Sequence, residues 1–200
     1  MRPLTLLALG DSYTIGEGVA LHDSFTYQTI RLLRKAGHHF NAPEIIARTG
    51  WTTTDLRKGI GKYLFQSSYD FVVLLIGVND QYKGKNINEY AANFELILSK
   101  AISLAADDPS HVFVLSIPDW GQTPFASGRD RQIISKEINQ FNKVNCVLTL
   151  QYKAHYLSIA EKINDVITLE NLAADQLHPL GKVYGTWASR LADAIKKLSV

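Results

Sequence analysis

Short apolar runs alternate along this chain with longer segments in which apolar residues recur at helical spacing. The clearest run, Phe71–Ile76, has six consecutive apolar residues. Such runs are typical of strands that are covered on both faces of a sheet. The pattern predicts five strands, at about residues 5–9, 44–47, 71–76, 112–117 and 154–159.

The segments between these runs predict helices. They lie at about residues 24–35, 53–63, 87–106, 131–151 and 181–197. Strands and helices alternate at short spacing, without repeats, linkers or low-complexity tracts, which favours a parallel sheet with helices on both faces. We therefore expect an α/β protein, a three-layer α/β/α sandwich in which residues 1–200 form a single domain.

Two polar segments that contain glycine follow predicted strands. Residues 13–18 are expected to form a loop that lines a site, and Gly77-Val78-Asn79-Asp80 follows the third strand. Asn and Asp favour turns, so the second segment taken alone indicates a plain turn.

Composition and charge exclude several classes of function. The net charge is +2 and the lysines and arginines are scattered, so we expect no nucleic-acid partner. The single cysteine, Cys146, excludes an internal disulfide, and no Cys/His cluster has zinc-ligand spacing. No apolar stretch is long enough to span a membrane or to form a secretory signal, which predicts a cytoplasmic protein. An export signal removed from the N-terminus is the open alternative.

The first strand ends at Gly10-Asp11-Ser12, which places a hydroxyl at the edge of the predicted sheet. A serine is an effective nucleophile only when a base takes its proton and another group orients that base. Asp175-Gln176-Leu177-His178 supplies both near the other end of the chain. An aspartate three residues before a histidine, in a turn, can accept the Nδ1 proton and leave Nε2 free for the serine.

On these residues the chain resembles the SGNH hydrolases of the GDSL esterase and lipase superfamily. Four motifs occur in the family's order: Gly10-Asp11-Ser12, Gly50, Gly77-x-Asn79-Asp80, and Asp175-x-x-His178. The serine motif is usually Gly-Asp-Ser-Leu, and Tyr13 replaces the leucine here. That position neighbours the chemistry, so the change bears on the shape of the pocket.

The resemblance implies a flavodoxin-like fold with strand order 2-1-3-4-5 and a catalytic triad of Ser12, His178 and Asp175. It also implies an oxyanion hole formed by the backbone N–H groups of Ser12 and Gly50 and the side chain of Asn79. No metal or other cofactor is expected. In open sheets of this kind, ligands bind beyond the carboxyl ends of the strands, where Ser12, Gly50 and Asn79 are predicted to lie.

The expected substrate is a small ester with a short acyl chain, or an acetylated sugar, because the chain has no evident lid insertion. Aromatic residues beside the motifs are candidates for gripping the acyl or leaving group, although packing among themselves is an equal alternative. They are Tyr13, Trp51, Tyr82, Trp120 and Phe125. The sequence makes no prediction of oligomeric state.

Three other functions remain open. The fold could serve as a non-catalytic small-molecule binding domain, or the same groups could transfer the acyl group to an alcohol. Phosphoryl chemistry at Asp11 ranks below both, because it needs a magnesium site and no second aspartate stands two positions further on.

Overall fold

The computed structural model describes residues 2–159 and 169–198, and within them five parallel strands form one sheet in the order β2-β1-β3-β4-β5. This order confirms the predicted fold. The strands are β1 (Leu6–Gly10), β2 (Glu44–Ala47), β3 (Phe71–Leu75), β4 (Val112–Leu115) and β5 (His155–Leu157).

The strand register places several carboxyl ends at the same level. Gly10, the last residue of β1, pairs with Ala47 on one side and with Leu75 on the other, and each of these is also the last residue of its strand. The chain therefore leaves β1, β2 and β3 at neighbouring points on the same edge of the sheet. The segments that follow them carry Ser12, Gly50 and Asn79, so the register alone places these three residues at one edge of the sheet.

Seven α-helices accompany the sheet in the described part of the chain. They are α1 (Ser12–Ile15), α2 (Phe25–Lys35), α3 (Thr53–Ile60), α4 (Val78–Tyr82), α5 (Ile87–Leu104), α6 (Arg131–Gln151) and α7 (Gly181–Lys196). Crossovers between parallel strands are right-handed. The β1-to-β2 crossover runs in the opposite direction to those that reach β3, β4 and β5, so α2 lies on the other face of the sheet from α3, α5 and α6. The contacts agree, because α2 packs against α7, and α5 packs between α3 and α6.

The central strands form the middle of the core. Every residue of β1, β3 and β4 is buried, whereas the edge strands β2 and β5 are mostly half-buried. This explains why the three central strands are continuous apolar runs while the edge strands include Glu44 and His155. The rigid centre of the sheet thus supports the segment that carries Ser12.

Two segments for which the sequence predicts a loop or a turn contain short helices. Residues 12–15 form α1, because the Asp11 side chain accepts the Tyr13 N–H at 3.1 Å and so caps a helical turn. Residues 78–82 form α4 directly after β3. Helices of four and five residues are too short to show apolar periodicity, which explains the error. The other boundaries differ from the predicted ones by up to three residues.

No helix in residues 2–159 and 169–198 is long and apolar enough to cross a bilayer.

Candidate active site

Ser12 is placed by the close packing of β1 against its neighbours. A Cβ atom at Gly10 would lie 2.0 Å from the Thr14 Oγ1 atom and 2.3 Å from the Leu75 carbonyl oxygen, so only glycine fits there. Ser12 is the first residue of α1, and the next three N–H groups all bond to atoms of Asp11. The first N–H groups of a helix have no acceptor within the helix. The Ser12 N–H can therefore serve a ligand.

Ser12, His178 and Asp175 form a continuous hydrogen-bonded chain. The Nε2 atom of His178 lies 2.8 Å from the Ser12 Oγ atom, and the Nδ1 atom lies 2.6 Å from the Asp175 Oδ2 atom. The two partners in the first contact are 166 residues apart in the sequence. Since the carboxylate accepts the Nδ1 proton, Nε2 is left to accept the serine proton.

The turn from Asp175 to His178 holds the carboxylate in place. Its Oδ1 atom accepts the N–H groups of Leu177 and His178, each at 3.0 Å. Burial by itself would raise the pKa of Asp175, but the hydrogen bonds from the His178 ring and from these two N–H groups outweigh it and lower the pKa. Asp175 is therefore an anion at neutral pH, as the orienting group of a serine–histidine pair must be.

Tyr13 supports the imidazole. Its ring centroid is 4.9 Å from that of His178 and 6.1 Å from that of Trp187 in α7. The Tyr13 side chain is only 2% exposed, so it offers almost no surface to a substrate. Its position indicates that it packs behind the histidine and restricts the movement of the ring.

Gly50 and Asn79 lie in adjacent segments that are tied together. Gly50 has φ +76° in the turn from Arg48 to Trp51, a conformation that favours glycine. The Asn79 Nδ2 atom donates to the Trp51 carbonyl oxygen at 3.0 Å, and the Lys83 Nζ atom donates to the Gly50 carbonyl oxygen at 2.8 Å. Asn79 of α4 and Lys83, the residue that follows the helix, thus bind the carbonyl groups of two successive residues in this turn.

The two buried aspartates of the motifs, Asp11 and Asp80, accept backbone N–H groups and so hold the local backbone in place. Asp80 accepts the N–H and the hydroxyl of Thr53 at 2.8 and 2.7 Å, which joins α4 to the start of α3. Burial raises the pKa of Asp11 to about 8 despite its hydrogen bond from Tyr13, and nearby Asp80 adds to the effect. No group of three His, Cys, Asp or Glu side chains in the described ranges is placed to hold a metal ion.

Three of the predicted aromatic residues form one cluster, and a fourth lies elsewhere. The ring centroids of Tyr82, Trp120 and Phe125 are 5.3 to 6.2 Å apart. Tyr82 and Phe125 are 40% and 39% exposed, whereas Trp120 is 2% exposed and its Nε1 atom donates to Gln81 at 2.6 Å. The Trp51 ring packs instead against Gly59 of α3.

A sequence model of the GDSL-like lipase/acylhydrolase family matches residues 8–185. The chain belongs to this family. The family prediction is thereby confirmed, and at family level this GDSL-like protein is a hydrolase of the esterase type. No curated protein sequence matches it significantly.

Several solved structures share the fold of this GDSL-like hydrolase. TesA has a TM-score of 0.75 at 19% identity, with 97% of this chain and 99% of that chain covered. Axe2, an acetylxylan esterase from Geobacillus stearothermophilus, has a TM-score of 0.72 at 17% identity, with 98% and 96% covered. A lipase/acylhydrolase from Enterococcus faecalis has a TM-score of 0.71 at 23% identity, with 97% and 96% covered.

Sequence reasoning missed two basic residues at the site of this GDSL-like hydrolase. Lys83 lies one helical turn after Asn79, a spacing that could have revealed it had α4 been predicted as a helix. Arg129 contacts Tyr82, 47 residues earlier in the chain, and no sequence signal indicates that contact.

Proposed function

We propose that this protein is a serine carboxylic-ester hydrolase in which Ser12 is the nucleophile, His178 the general base and Asp175 the residue that orients the histidine. The observation that carries the proposal is the unbroken chain of contacts from Ser12 Oγ through the imidazole to the Asp175 carboxylate, at 2.8 and 2.6 Å. Contacts of this length allow the proton transfer that makes a serine hydroxyl reactive.

The reaction proceeds in two halves. The Ser12 Oγ atom attacks the ester carbonyl carbon while His178 Nε2 takes the hydroxyl proton, and the carbonyl oxygen becomes an oxyanion. The C–O bond to the alcohol then breaks, and His178 returns the proton to the departing alcohol. Water repeats these steps on the acyl-enzyme, which releases the carboxylic acid and restores Ser12.

The oxyanion is stabilised by three donors, the N–H groups of Ser12 and Gly50 and the Nδ2 group of Asn79. One Nδ2 hydrogen of Asn79 is bound by the Trp51 carbonyl, which fixes the orientation of the amide, and the second hydrogen is available to the substrate. Donors held in place before the reaction stabilise developing charge at little reorganisation cost.

The proposed substrates are short-chain acyl esters or acetylated sugars. Most described residues between the strands lie in helices or short connections, and the partly exposed side chains of Tyr82 and Phe125 offer an apolar surface beside the site. An acetylxylan esterase among the proteins of similar fold is consistent with this choice.

The test is the hydrolysis of p-nitrophenyl acetate by wild type, Ser12→Ala and the control Ser189→Ala, whose hydroxyl lies on α7 and bonds to the Gly185 carbonyl. Loss of the nucleophile of a triad lowers kcat on the order of a millionfold. We expect Ser12→Ala to abolish turnover and Ser189→Ala to retain it. A wild-type rate in Ser12→Ala would overturn the proposal.

A further inference from the structure

The guanidinium of Arg129 lies over two aromatic rings beside the candidate active site. Its Cζ atom is 4.8 Å from the centroid of the Tyr82 ring and 5.3 Å from that of Trp120. The Nη2 atom also donates to the Tyr82 hydroxyl at 3.1 Å. Contact with both rings, together with this hydrogen bond, restricts the orientation of the planar guanidinium. The position therefore holds an oriented cation.

Arg129 has no salt-bridge partner in the described part of the chain. Two aspartates near Arg129 in the sequence accept hydrogen bonds from other groups. Asp130 caps α6 by accepting the N–H groups of residues 132 and 133, and Asp119 accepts the Ser135 hydroxyl and the Gly121 N–H.

Arginine carries five N–H donors. Within the described residues, the Tyr82 hydroxyl is the only hydrogen-bond acceptor that the guanidinium contacts. The Arg129 residue is exposed, so its other donors can be reached from solvent. An oriented cation with free donors binds a carboxylate well, because the planar guanidinium can donate two parallel hydrogen bonds.

The aromatic cluster connects this cation to the triad. Tyr82 lies three residues after Asn79, one turn along α4. On the other side, the Phe125 N–H donates to the Gln176 carbonyl at 3.3 Å, within the turn that carries Asp175 and His178. The cluster therefore borders the site both at the proposed oxyanion donor and at the histidine.

We propose that Tyr82, Phe125 and Arg129 form a subsite for a negatively charged group, and that this hydrolase prefers esters that carry a carboxylate. The rings of Tyr82 and Phe125 contact the carbon chain of the substrate, and Arg129 binds its anionic end. This inference rests on the proposed function, since it assigns a substrate class to the same site.

The test uses two pairs of esters that differ in charge. The first pair places the carboxylate on the acyl group: the mono-p-nitrophenyl ester of adipic acid and the neutral p-nitrophenyl hexanoate. The second places it on the leaving group: para-acetoxybenzoate and its neutral methyl ester. The ratio of kcat/KM for the charged ester to that for the neutral ester is measured for wild type, Arg129→Ala, Arg129→Lys and the control Arg131→Ala. Arg131 is an exposed arginine of the same segment, at the start of α6.

We expect Arg129→Ala to lower the ratio roughly 10-fold for one of the two pairs, the size typical of a lost hydrogen bond to a charged group. The pair whose ratio falls shows whether the acyl group or the leaving group of the ester occupies the subsite. Arg129→Lys should lower the ratio less, because it keeps the charge and loses the planar pair of donors. Arg131→Ala should leave the ratio at the wild-type value, and added salt should lower it in wild type.

An unchanged ratio in Arg129→Ala for both pairs would overturn the inference, as would an equal loss on charged and neutral esters. If Arg129→Ala is not folded by circular dichroism, Arg129→Gln gives the same comparison. Failure of the proposed function is recognised separately. In that case Ser12→Ala would hydrolyse the neutral esters at the wild-type rate, whereas failure of this inference alone leaves hydrolysis dependent on Ser12 and the ratio independent of Arg129.

Discussion

The side-chain amide of Asn79 donates a hydrogen bond of 3.0 Å to the backbone carbonyl of Trp51. This contact joins the segments that follow β2 and β3, which carry two of the three proposed oxyanion donors. Asn79 therefore has two roles in our account. It offers one N–H to the substrate and uses the other to fix the turn that contains Gly50.

Asn79→Ala removes one donor from the proposed oxyanion hole. Loss of a single donor of this kind costs about 100- to 1,000-fold in kcat. We therefore expect a measurable remnant of p-nitrophenyl acetate hydrolysis, far above that of Ser12→Ala. Asn88→Ala, at an exposed position of α5, is the matched control and should retain the wild-type kcat. A wild-type kcat in Asn79→Ala would exclude the oxyanion role.

Lys83→Met removes the 2.8 Å hydrogen bond to the Gly50 carbonyl. Lys83 is exposed, and its role in our proposal is to hold the turn that contains Gly50. The net free energy of such a hydrogen bond is modest, so we expect a smaller loss of kcat than in Asn79→Ala, roughly 3- to 10-fold. The effect should be non-additive with that of Asn79→Ala, since both residues hold the same turn. Kinetics of the two single variants and the double variant measure this coupling. Additive losses would show that Lys83 does not position the turn.

The strands and the contact between Asp175 and His178 could be predicted from sequence for definite reasons. The apolar run that becomes β3 has no polar residue to allow another assignment, and the Asp175-to-His178 spacing is a local relationship within one turn. Helices α1 and α4 could not be predicted, because a cap and one or two turns leave no periodic pattern. The contacts of Lys83 with Gly50 and of Arg129 with Tyr82 depend on how distant segments meet in the fold.

Stability should depend on the ionisation of Asp11. Burial raises the pKa of this carboxyl to about 8 in the folded protein from an ordinary value of 3.8. The folded state therefore binds the proton more tightly than the unfolded state. The resulting stabilisation is complete below about pH 4 and is lost as the pH rises through about 8.

Asp11→Asn removes this titration while it keeps an oxygen that can accept the Tyr13 N–H. We expect wild type to lose stability relative to Asp11→Asn as the pH is raised from 5 to about 8.5. The measurement is the urea midpoint of both proteins at several pH values, with Asp193→Asn, an exposed aspartate of α7, as the control. A constant difference between wild type and Asp11→Asn across this range would contradict the assignment.

Activation of the Ser12 hydroxyl by the imidazole of His178 can be tested by covalent labelling with a fluorophosphonate. The reagent modifies a serine only when its hydroxyl is activated as a nucleophile. Mass spectrometry of the digested protein should find the phosphonyl group on Ser12 in wild type, and His178→Ala should abolish this modification. If Ser12 is unmodified in folded wild-type protein, or is labelled equally in His178→Ala, His178 does not activate Ser12.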